Sequence, residues 1–149
     1  MKKPKIYLDL CCCNRPFDDQ AQPRIQFETV AKLGVQKLIA EEQFEFVWSY
    51  ILDYENLKNP FIGIKNAVIR FAKYADEIVI PSESIMIEAR KLQSMGLKKF
   101  DSLHVACAKQ ARCHFFLTVD DKLLKKKVDG IDIADPIHFL NSWLKGELQ

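Results

Sequence analysis

No apolar run in this sequence approaches the about 20 residues that a bilayer-spanning helix requires. The hydrophobic stretch after Met1-Lys2-Lys3 is broken almost at once by Asp9, so neither a membrane span nor a secretory leader is expected. The five cysteines are odd in number, with three consecutive at 11–13 and no CxxC pair. That pattern argues against a disulfide framework and against a zinc cluster, and points to a reducing, cytoplasmic setting. Charge of one sign is also lacking. With 22 Lys+Arg against 20 Asp+Glu the net charge is +2, too small to argue for a nucleic-acid partner by itself. Lys98, Lys99 and the Lys125-Lys126-Lys127 run are candidates for a local basic face, although a lysine run more often marks a solvated surface. Repeats, low-complexity segments and linkers are absent, and the length suits a single domain spanning 1–149.

What is there is an alternation of strands and helices. Lys5-Ile-Tyr-Leu-Asp-Leu10 reads as a first strand with Asp9 near its carboxyl end, followed by a loop from Cys11 to Gln22. A helix follows from Pro23/Arg24 to about Glu42, with Ile25, Val30, Leu33, Leu38 and Ile39 as its apolar stripe. Phe44 to Trp48 is a second strand, and Ser49 caps a short helix carrying Asp53 and Glu55. Phe61–Ala75 is helical, with Ile64, Val68, Phe71 and Ala72 on one face, and Glu77–Ile80 is a strand stopped by Pro81. Ser82 opens a helix to Met95, with Gly96 just past its end. Asp101 is read as the N-cap of the next helix, which leads into the aromatic strand His114–Val119 and the acid pair Asp120-Asp121. A short helix from Asp121 to Val128, a strand at Ile131–Ile133 and a helix opened by Asp135-Pro136 complete the chain. Such alternation predicts a three-layer α/β fold, a mostly parallel central sheet flanked by helices.

In a parallel sheet the carboxyl ends of all strands share one edge, which would bring Asp9 and Asp120 together. Asp101 at its helix start and Glu55 on the helix after strand two can face the same edge. Taken singly, each acid is an ordinary cap or turn residue. Together, three or four carboxylates repel one another unless a cation intervenes, and an all-oxygen set suits Mg²⁺ or Mn²⁺ rather than zinc. Such a site can activate water against a phosphodiester.

The residues Ile-Tyr-Leu-Asp9, Ser49 followed by Glu55, Asp101-Ser-Leu-His-Val-Ala-Cys-Ala and Leu-Thr-Val-Asp120, in that order, resemble the PIN domain over nearly the whole chain. That family includes many metal-dependent ribonucleases, among them the toxin halves of toxin–antitoxin pairs. The resemblance implies a PIN-like fold, with Asp9, Glu55, Asp101 and Asp120 holding Mg²⁺ or Mn²⁺. It makes Ser49 and Thr118 supports for those acids or for the attacking water, and RNA the substrate. It also implies hydrolysis leaving a 5′-phosphate, an antitoxin protein as a possible partner, and a homodimer. The chain departs from many members just after the first Asp, where Thr or Ser and then a small polar residue are replaced by Leu10 and Cys11; Asn14 supplies polarity nearby. That departure motivates the alternative of a catalytically inactive PIN-like module that binds protein or RNA.

Other chemistries fit less well. A thiolate nucleophile at Cys11–Cys13 needs an arginine closing the loop where Phe17, Asp18 and Asp19 stand, so buried thiols filling space are the better account. A phosphorylated Asp9 needs either a second Asp where Cys11 stands or an acidic pair after strand one. His104, one turn after Asp101, reads as a packed helix residue rather than a ligand.

Overall fold

The computed structural model describes residues 3–148. Five strands form one parallel sheet: β1 (Lys5–Leu8), β2 (Glu45–Ser49), β3 (Glu77–Val79), β4 (Phe115–Leu117) and β5 (Asp132–Ala134). Their order is β3-β2-β1-β4-β5. Helices α1 (Leu10–Asn14), α2 (Pro23–Ala40), α3 (Tyr50–Leu57), α4 (Ile62–Ala72), α5 (Glu83–Ser94), α6 (Lys99–Gln110), α7 (Asp121–Leu124) and α8 (Pro136–Leu144) fill the connections. The fold is the expected three-layer α/β arrangement. Among the described residues no helix is long and apolar enough to cross a membrane.

Strand alternation decides which side chains meet which layer. Tyr7 lies opposite Val47 and Phe116, and its ring stacks on Phe116 on the side covered by α6. Phe46 and Trp48 point the other way, onto Phe71 of α4, while Phe115 meets Phe139 of α8. Helices α5 and α6 pack against each other, as do α2 and α8. Trp48, Tyr7, Phe44, Phe46, Phe116 and Phe139 are fully buried. At roughly 1.5–3 kcal/mol for each large apolar side chain removed from water, this aromatic core outweighs any single cap or ion pair.

Four local expectations need correction. The segment after Asp9 is not a loop: Leu10–Asn14 is a short helix capped by Asp9, whose carboxylate accepts from Leu10 N–H at 2.8 Å. Asp101 is not an N-cap, because α6 begins two residues earlier and Lys98 holds the cap position. The expected stripe of α2 is displaced, with Val30 and Leu33 exposed while Glu28 and Lys32 are buried. Ion pairs to Arg15 and Arg24 satisfy Glu28. Lys32 donates to Gln36 at 2.6 Å and lies over the Phe71 ring. Finally, α7 ends at Leu124, well short of Val128.

Strand order reverses at β1. The chain moves outward through β2 and β3 on one side, then returns to β4 and β5 on the other. The crevice outside the carboxyl ends of β1 and β4 is therefore a topological switch point, where open α/β sheets place their ligands.

Candidate functional site

Asp9 leaves β1 at this crevice and is 8% exposed. One carboxylate oxygen caps α1, and the other accepts from Thr118 Oγ1 at 3.0 Å. The same Thr118 hydroxyl accepts from Asp120 N–H at 3.1 Å, so one side chain ties the ends of β1 and β4 together. Asp120 caps α7, accepting from Lys122 N–H at 2.9 Å. The Cys11 thiol lies 3.4 Å from Asp9 Oδ2 and 3.4 Å from Thr118 Oγ1. The Cys11 thiol is thus within reach of the first carboxylate.

Asp101 approaches from α6, in that helix's first turn, where the dipole favours a negative charge. Its carboxyl is nevertheless pushed up to about 6, first by burial and then by the charges of Asp9 and Asp120. His104 and Lys98 oppose the rise. Three aspartates from three elements therefore sense one another's charge.

Glu55 reaches the same place from α3 and pairs with His104 Nε2. Behind that pair runs a buried chain. His104 Nδ1 is 2.6 Å from the Tyr7 hydroxyl, Tyr7 is 2.6 Å from Ser49 Oγ, and Ser49 accepts from Leu52 N–H at 3.3 Å. Ser49 is fully buried, so it bears on Glu55 through Tyr7 and His104 rather than by touching it. Asp9, Glu55 and His104 bring ligand atoms to within 4.8 Å of one another, a geometry able to hold a metal ion. Asn14, the last residue of α1, lines a cleft of about 300 Å³ that also includes Glu55.

The residues fit a divalent cation. Mutually repelling carboxylates are the donor set that hard cations bind, and the one imidazole is compatible with Mn²⁺ as well as softer ions. Asn14 Oδ1 is buried without a hydrogen-bond partner, an orphaned acceptor that a cation or its water shell would satisfy.

His104 and Tyr7 are the members of this cluster that the sequence did not disclose as functional. His104 carries the apolar-face spacing of a packed residue, and Tyr7 is an inward residue of a central strand. Only the three-dimensional meeting of β1, β2, α3 and α6 reveals their chain. The buried thiols behave as filler. Burial pushes the Cys12 thiol up, and those of Cys13, Cys107 and Cys113 each up to about 12, which keeps them protonated and inert.

No protein-family model matches the chain, and no curated protein matches it. Among solved structures, the chain is similar to one in the crystal structure of VapBC2 from Rickettsia felis bound to a DNA fragment from their promoter. The match covers 88% of this chain and 98% of that one, with a TM-score of 0.60 and 14% sequence identity. That likeness shows the fold. It carries the expected PIN-like, three-layer architecture.

Proposed function

We infer that the chain is a Mg²⁺- or Mn²⁺-dependent ribonuclease of PIN type, with residues 1–149 as one PIN-like domain acting in the cytoplasm. The observation that carries this reading is the meeting of Asp9, Glu55 and His104 at the switch point of the sheet, with Asp101 feeling the charges of Asp9 and Asp120. A bound divalent cation supplies charge stabilisation for the phosphodiester and lowers the pKa of water. Asp9, Asp101, Asp120 and Glu55 would hold it, with His104 Nε2 beside them. Thr118 fixes Asp9 and the turn into Asp120, while the Ser49–Tyr7–His104 chain fixes the rotamer of Glu55.

The structural neighbour belongs to a toxin–antitoxin complex, which supports an antitoxin protein as partner. A homodimer is proposed on the family resemblance and is checked by light scattering of the purified chain. Incubating single-stranded and structured RNA with the protein and Mn²⁺ should give cleavage that EDTA abolishes. Asp101→Asn should lose at least a hundred-fold in rate while keeping its circular dichroism, since removing one group that stabilises developing charge commonly costs about 10²–10³. Full activity in a folded Asp101→Asn protein would sink the assignment.

A second reading, a catalytically inactive PIN-like protein- or RNA-binding module, draws on the Leu10-Cys11 departure, which sets a thiol 3.4 Å from Asp9 Oδ2. It expects no EDTA-sensitive turnover and ligand binding unchanged by Asp101→Asn.

A further inference from the structure

The loop between α5 and α6 faces α7 and the turn after it across a cleft of about 290 Å³. Lys98, Lys122, Lys125 and Lys126 line it, together with Gly96 and Asp101. Asp101 forms one wall, and the other side is built by α7, which springs from its cap residue Asp120. Lys98 acts on Asp101, and Lys125 on Asp121, through charge alone. Among the described residues the ammonium groups of Lys122 and Lys126 have no ion-pair or hydrogen-bond partner. Gly96 adopts a positive φ of 100°, and a Cβ there would come within 3.0 Å of Lys126 Nζ. The bare glycine backbone leaves the room in which that ammonium lies. Lys98 caps α6 without a side-chain hydrogen bond, so the positive end of a twelve-residue helix faces the same side.

Four lysines in one concave strip concentrate positive potential and oblige a polyanion to lie along it. Lys98 and Lys125 offset part of the charge of Asp101 and Asp121, while Lys122 and Lys126 make no ion pair with any acid among the described residues. We propose that this cleft is a phosphate-binding track for single-stranded RNA, holding backbone phosphates next to the scissile bond at Asp101 and Asp120. The proposal rests on the ribonuclease reading and adds to it the direction in which the strand leaves the site.

The test is fluorescence anisotropy of a labelled single-stranded RNA dodecamer with the full chain in EDTA, where no cleavage interferes, over a series of KCl concentrations. Each phosphate neutralised on a single strand contributes a slope of about −0.7 to log K against log salt. Lys122→Ala/Lys126→Ala should make the slope shallower by about 1.4 and weaken binding, with unchanged melting temperature. Lys37→Ala/Lys73→Ala, exposed lysines beyond the cleft, should leave both slope and affinity as they were. An unchanged slope in the first variant, an equal change in the second, or no RNA binding by wild type overturns the track. The ribonuclease reading falls separately, when Mn²⁺-dependent cleavage of RNA is absent or survives in full in a folded Asp101→Asn protein.

Discussion

Asp101 is the residue at which charge and fold conflict most openly. Its folded pKa of about 6 lies above the ordinary 3.8, so between those values the folded chain holds a proton that the unfolded chain has lost. Stability from this group is therefore present at low pH and falls as pH rises through that window. Asn cannot ionise. In EDTA at pH 7.5, Asp101→Asn should melt above wild type, with the gap closing below about pH 4. A gap that does not depend on pH would contradict the raised pKa of Asp101. His104 poses the opposite case, a buried group whose loss strands its partners. His104→Ala leaves Glu55 unpaired and Tyr7 with Ser49 alone, and opens a cavity. A loss of about 2–4 kcal/mol in urea unfolding is expected, whereas a loss under about 0.5 kcal/mol would show that the chain from Ser49 to Glu55 is not a supporting element.

At the scale of elements, termini position the chemistry. Asp9 and Asp120 serve as caps of α1 and α7 while facing the crevice, so cap and site are the same side chains. Away from the site, Ser82 caps α5 with its hydroxyl 3.3 Å from Ile85 N–H. Ser82→Ala should cost about 1 kcal/mol by thermal melt without altering Mn²⁺ affinity; a change in that affinity would link α5 to the site in a way the fold does not. The helices with strong caps or clear apolar spacing, α3, α4, α5 and α8, were legible in the sequence because local signals and burial agree there. Other features were not. Helix α1 is five residues of Leu, Cys and Asn, too short to show a period, and it forms because β1 delivers Asp9 as its cap. The start of α6 was misplaced because Lys98 offers no side-chain cap signal while Asp101, three residues on, imitates one. The buried face of α2 departs from the expected stripe because its inward Glu28 and Lys32 are compensated by Arg24 and Gln36 one turn away and by Arg15 and the Phe71 ring from outside the helix.

Over the whole molecule, the reversal of strand order at β1 brings Asp9 beside Glu55 and His104, with the charges of Asp9 and Asp120 reaching Asp101. The shared edge of Asp9 and Asp120 was readable in the sequence because parallel strands align their carboxyl ends. The Ser49–Tyr7–His104–Glu55 chain was not, because it depends on which faces of β1, β2 and α6 meet. If the carboxylates form a cation site, a thermal melt of the full chain titrated with Mn²⁺ reads the bound ion as added stability. Wild type should gain about 2.7 kcal/mol at a hundred-fold excess over the dissociation constant, if only the folded state binds. Asp101→Asn should start higher in EDTA and gain distinctly less. A flat wild-type response to Mn²⁺ and Mg²⁺, or an equal gain in both proteins, would contradict the site and leave the acids as caps and turns.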